Sequence, residues 1–139
     1  EGQMDIIKAE EYNNIYACDL FSRERAKLYQ KNPNDEKSYA NWLSRQLGYL
    51  DTTGLTVLKD HSQAFEKLGG VENNIYSITR REFRGNPRIL FFTIIEDGEA
   101  DIFVLLTAFK ELSSGDYKRY IPIAVERMKQ ILLKIEEEK

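Results

Sequence analysis

The densest group of reactive side chains is a run of arginines, Arg80, Arg81, Arg84 and Arg88, interrupted by Glu82. Four positive charges against one negative give +3 across residues 80–88 in a chain of net charge −3, so the remainder carries −6. A positive patch on an otherwise acidic surface suits a polyanion, because it attracts locally without making the whole protein adhere to nucleic acid. The planar guanidinium fork matches phosphate oxygens in particular. The same composition also fits a solubilised sheet edge, with arginine stems lying over aromatic rings and their heads in water. Other chemistries are poorly supplied. The chain has one cysteine, Cys18, and one histidine, His61. Cys18 has no partner for an internal disulfide, and the two together are too few for a Cys/His zinc site. His61 lies in no nucleophile motif and is expected at the surface near a helix. No metal or cofactor is expected.

The totals bound the scaffold that holds these residues. At 139 residues, 42% hydrophobic and 31% charged, the chain can build one core, so residues 1–139 are expected to form a single α+β domain. No stretch approaches the roughly 20 apolar residues of a membrane span, and no secretory leader is visible. With a lone cysteine, a cytoplasmic location is the expectation.

Residues 75–83, 87–95 and 101–109 are rich in β-branched and aromatic residues and read as three strands. Asp97-Gly98 is a hairpin signal between the second and third. Arg84-Gly85-Asn86-Pro87 is a turn between the first two. The result is a three- to four-stranded antiparallel meander with the Pro87 run central, because both its faces are apolar. Alternation puts Tyr76 and Ile78 toward the core, leaving Ser77, Thr79 and Arg81 on an open face and Arg80 at the strand end.

Before the strands, residues 4–11 are compatible with helix and 15–21 with a weak strand. Ser22 reads as an N-cap for 23–31, and Asn34 or Asp35 as the cap of a helix over 36–50. That helix carries one apolar stripe, Tyr39, Trp42, Leu43, Leu47 and Leu50. Residues 55–68 read as irregular or briefly helical. The chain closes with an amphipathic helix over 121–137, its stripe Ile121, Val125, Met128, Leu132 and Ile135 facing the sheet, and Pro122 marking its start.

Together, Ile75-Tyr-Ser-Ile-Thr-Arg-Arg-Glu-Phe-Arg84, the turn, Pro87-Arg-Ile-Leu-Phe-Phe92, Ile102-Phe-Val-Leu-Leu-Thr-Ala-Phe-Lys110 and Ala124-Val-Glu-Arg-Met-Lys129 resemble the RelE/HigB superfamily of bacterial toxins, specifically its phage-derived HigB-like branch. The likeness covers roughly residues 40–135, with Phe65-Glu-Lys-Leu68 as the family's connection. It implies a RelE-like fold and a small toxin that cleaves messenger RNA, in many members on the ribosome. It also implies a co-encoded antitoxin, of helix-turn-helix type, as partner. In such enzymes the ribose 2′-OH attacks the adjacent phosphate without a metal. That chemistry needs a base, guanidinium groups on the phosphate and an acid.

The resemblance carries roles onto particular positions. Arg81 matches a basic residue near the end of the family's first long strand. Arg88 matches the arginine opening the next strand and is the implied phosphate stabiliser. Lys110 matches the lysine ending the last strand, and Tyr117 a tyrosine beside the reacting ribose. Arg80, Arg84, Lys118 and Arg119 would add RNA-binding charge. Ser77 and Thr79 stand on the same RNA-facing side, where RelE-type members carry lysines. Glu111 replaces a basic residue, and 112–116 is a weakly charged loop. These departures keep two alternatives open: a ParE-like toxin that inhibits gyrase, and an inactive member acting as a protein-binding module.

Overall fold

The computed structural model describes residues 5–69, 74–95 and 101–138. Its centre is a six-stranded mixed sheet in the order β1-β2-β6-β5-β4-β3. The strands are β1 (Ile6–Lys8), β2 (Ile15–Cys18), β3 (Phe65–Lys67), β4 (Ile75–Thr79), β5 (Pro87–Ile94) and β6 (Ile102–Lys110). The helices are α1 (Asp19–Lys27), α2 (Pro33–Thr53), the short α3 (Val57–Asp60) and α4 (Gly115–Glu137), with a 3-10 turn at Gly54–Thr56.

The expected meander is present. β4, β5 and β6 pair antiparallel, with β5 between its neighbours. The sheet is larger than the meander on both sides. β3 adds antiparallel to β4, β2 adds parallel to β6, and β1 folds back on β2. The Asp97-Gly98 turn falls outside the described residues. The apolar runs bury fully: Ile78, Ile89, Leu90, Phe91 and Leu106 are all inaccessible. Phe91 sits at the middle of the sheet, its ring meeting those of Phe65, Tyr76 and Phe103.

The first helices differ from the sequence expectation in their boundaries. Residues 4–11 hold a short strand where helix was allowed. α1 starts at Asp19, with extended Cys18 as its cap, not at Ser22. Cys18 is fixed there by its thiol donating to the Leu106 carbonyl on β6. α2 starts three residues before the expected 36, because the Asn32 side chain accepts from the Asp35 N–H and Pro33 takes the first turn. Its stripe is as read: Tyr39, Leu43, Leu47 and Leu50 are buried and Trp42 is half-buried.

α4 overturns the reading of Pro122. The helix begins at Gly115, and Pro122 lies inside it. A proline there removes one helical hydrogen bond and crowds the preceding turn, costing about 3 kcal/mol. The first two turns nevertheless pack Tyr117 and Tyr120 against Phe109 of β6, with ring centroids 5.4 and 4.3 Å away. Burial of two aromatic rings outweighs that cost. The buried stripe is also rotated from the expected one. Ala124, Met128 and Ile131 form its centre, and Leu132 is left 43% exposed.

With α4 against the Ser77–Arg88–Phe109 face, the sheet has no open face at Ser77 and Thr79. Tyr76 and Ile78 face the core as expected, but Ser77 and Thr79 are also buried, at 0% and 2% exposure.

Candidate functional site

Strand register gathers the basic residues. Thr79 pairs with Arg88 and Pro87 with Lys110, so the end of β4, the start of β5 and the end of β6 coincide. Arg80, Arg81, Arg84, Arg88 and Lys110 therefore share one end of the sheet. The connecting turn is pinned by Asn86 N–H donating to the Phe83 carbonyl and Arg80 N–H to the Pro87 carbonyl. Gly85 adopts φ +83°, and a Cβ there would lie 2.8 Å from Lys110 Cδ. Only glycine fits both the backbone and the lysine stem beneath it.

Arg88 is the most enclosed of these cations, with 5% exposure. Its Nε and Nη2 both donate to Glu111 Oε1, at 3.1 and 2.7 Å. Asn86 steadies Glu111 through donation to the same oxygen and to the Glu111 carbonyl. The guanidinium lies 5.9 Å from the centre of the Tyr117 ring. The Tyr117 hydroxyl shares a 3.1 Å hydrogen bond with Ser77 Oγ. Burial pushes the Tyr117 phenol up from its ordinary value, and the Ser77 bond and Arg88 charge only partly oppose this. At neutral pH the phenol is protonated, and so suited to donating a proton rather than taking one. Thr79 Oγ1 turns to the Gln63 carbonyl. Ser77 and Thr79, expected on an RNA-facing surface, are instead buried, Ser77 bonded to Tyr117 and Thr79 to the Gln63 carbonyl.

The other arginines have distinct surroundings. Arg81 is exposed and paired with Glu66 of β3. Arg84 is exposed and paired with buried Asp35 at the start of α2. Arg80 meets no carboxylate among the described residues. Its guanidinium lies 4.0 Å from the Phe83 ring centre and 5.5 Å from that of Trp42, and it donates to Ser38 Oγ. Lys110 Nζ lies 4.6 Å from the centre of the Tyr29 ring. Lys118 is exposed on α4, and Arg119 lies over Tyr120.

Two depressions open at this end. The larger, about 940 Å³, lies between α2, the segment after α3 and the β4–β5 turn, with Trp42, Gln46, His61, Gln63, Arg80 and Arg81 among its walls. The smaller, about 450 Å³, brings Lys27 and Lys31 beside Arg84, Lys110, Asp35 and Tyr29. The Arg88–Tyr117 group lines neither, so the candidate residues divide into a buried set and an open set.

Comparison with protein-family models, curated proteins and solved structures finds no match. The site therefore stands on its own geometry. Among the described residues, no three His, Cys, Asp or Glu side chains converge as a metal site, and no helix is long and apolar enough to cross a membrane.

Several contributors were not singled out by the sequence. Asp35, Glu66 and Glu111 neutralise arginines that they meet across 15 to 49 residues of chain. Gln46, Lys27 and Lys31 reach the depressions from α1, α2 and the loop between them. A lysine or glutamine on a helix carries no local mark of such a role. Gln46 alone left a trace: it sits next to Leu47 and four before Leu50, on the margin of the buried stripe.

Proposed function

We propose that this chain is a RelE/HigB-type toxin that cleaves messenger RNA, acts in the cytoplasm on ribosome-bound message, and is neutralised by a co-encoded antitoxin. The observation that carries this reading is the strand register. It brings Arg80, Arg81, Arg84, Arg88 and Lys110 to one end of the sheet, with Tyr117 beside Arg88.

In this reading Lys110, held between Gly85 and Tyr29, and the exposed arginines draw in the RNA backbone. Arg88 supplies a guanidinium already fixed in direction, as transition-state stabilisation requires. A phosphate reaching Arg88 competes with Glu111 for the same fork. In the same reading the protonated Tyr117 hydroxyl gives up Ser77 and donates to an oxygen that leaves or gains charge.

A second reading has its own support. Arg81, Arg84 and Arg88 each bind a carboxylate of the same chain. Such neutralisation lowers the pull on RNA and favours a module that binds protein, including a ParE-like inhibitor of gyrase.

Induced expression in a bacterium, with growth and message length followed, separates the two. Wild-type protein is expected to arrest growth and shorten messages. Tyr117→Phe keeps the ring on Phe109 but leaves the buried Ser77 hydroxyl without its partner, so it is expected to stay folded at a cost of about 1–2 kcal/mol and to lose about a hundredfold in cleavage. Normal growth or intact messages with the wild type would sink the nuclease reading, and full cleavage by Tyr117→Phe would remove Tyr117 from its mechanism. Growth arrest with intact messages and inhibited gyrase would establish the second.

A further inference from the structure

The larger depression has features that phosphate binding does not use. Its wall includes Arg80, whose guanidinium is layered on Phe83 and Trp42 and so presents a flat cationic surface. Gln46 lines the same space. It is only 8% exposed, yet its side-chain amide has no hydrogen-bond partner among the described residues. An amide that lines a cavity without a protein partner offers a donor–acceptor pair to whatever enters it. Across the groove, His61 is fixed by stacking on Tyr49, with centroids 4.0 Å apart and planes within 8°.

We infer that this groove takes one unpaired base of single-stranded RNA, stacked on the Arg80 plane and read at its edge by the Gln46 amide. The inference rests on the RNA reading above and adds to it a base subsite separate from the Arg88 group. Unpaired RNA bases are commonly held on arginine planes and hydrogen-bonded along their edges, and a carboxamide can meet a base with donor and acceptor at once. The volume, about 940 Å³, is that of an ordinary ligand site. Arg81, 53% exposed at the rim, reaches the neighbouring phosphate by exchanging Glu66 for it. An acidic protein segment suits the groove less well, because Asp60 and Glu82 also line it and repel carboxylates, whereas a base is neutral.

The chain has one tryptophan, Trp42, and it lies in this groove, so its emission reports occupancy. The full chain is titrated with a labelled, 2′-O-methylated hexanucleotide, which lacks the attacking hydroxyl. Label anisotropy and Trp42 emission are read together. The expected result is quenching with the same midpoint as the anisotropy. An abasic oligomer of equal charge is expected to bind without quenching. Arg80→Lys keeps the charge and removes the plane. It should weaken the base-bearing oligomer about tenfold and the abasic one less than about twofold. Gln46→Ala should flatten the preference among the four homopolymers.

Binding without quenching, or equal weakening of both oligomers by Arg80→Lys, overturns the subsite while leaving the RNA reading intact. No anisotropy change with either oligomer removes the RNA reading and the subsite with it. Quenching by an acidic peptide but not by RNA likewise overturns the proposal and assigns the groove to a protein.

Discussion

Arg80 and Arg88 stand eight residues apart in one basic cluster, and the fold treats them in opposite ways. Arg88 starts β5 under α4, where little water reaches and Glu111 neutralises it. Arg80 leaves β4 at its end and lies on aromatic rings beside an open groove, with no carboxylate in ion-pair reach among the described residues. One guanidinium can meet a phosphate only by giving up its carboxylate. The other has no carboxylate to give up among the described residues and lines the groove. Positive charge in a sequence therefore says little about availability until each cation's partner is known.

The contrast can be broken at several points. Arg88→Ala would strand Glu111 and Tyr117 and should cost about 3 kcal/mol in urea unfolding. The low end of the usual range applies because Glu111 keeps 22% side-chain exposure. A loss below about 1 kcal/mol would mean Arg88 is not structural. Arg127→Met tests a second pair that ties α4 to α1. Arg127 makes a two-pronged bond to Glu24, donates to the Leu106 carbonyl, and shares Glu24 with Thr107. Its removal should cost about 2 kcal/mol, measured the same way.

Alkaline titration probes the aromatic neighbourhood of Arg80 and Lys110. Burial raises Tyr29 to about 12 and raises Tyr39 as well, so the folded state keeps protons that the unfolded chain releases near pH 10. The unfolded state then binds fewer protons, and stability must fall as pH climbs from about 10 toward 12. Urea unfolding at about pH 10 to 12 should show this fall and Tyr29→Phe should lessen it; an equal fall in the variant would contradict it. The smallest effect is expected from Glu66→Gln. It frees an exposed arginine, so stability should change by less than about 0.5 kcal/mol, while RNA affinity rises. Unchanged affinity would place Arg81 outside any RNA path.

Much of the architecture was legible because β4, β5 and β6 are long enough for composition to speak. β1 and β3 are three residues each, too short for alternation to register, and they belong to the sheet only through partners distant in sequence. Parity correctly grouped Ser77 with Thr79. It could not say which face α4 would cover, and that choice decides exposure. Pro122 misled because local chemistry argues for a helix start, whereas the decisive term is the contact of Tyr117 and Tyr120 with Phe109. The arginine cluster was visible as charge. Its division into committed and available members was not, because Asp35, Glu66 and Glu111 lie on other elements.

The parallel pairing of β2 with β6 has a consequence for the order in which the molecule comes into being. Ile15–Ala17 are made first, and their partners Phe103–Leu105 follow 88 residues later. At ordinary elongation rates that delay is roughly 5–20 s. During it, helices can form locally while the edge that β6 will occupy stays unpaired on both sides. Lys110 and Glu111 arrive at the end of that strand, so the arginine end of the sheet is assembled only after β6 has been made. A nascent chain on its own ribosome would thus lack the surface proposed to act there until β6 has been made.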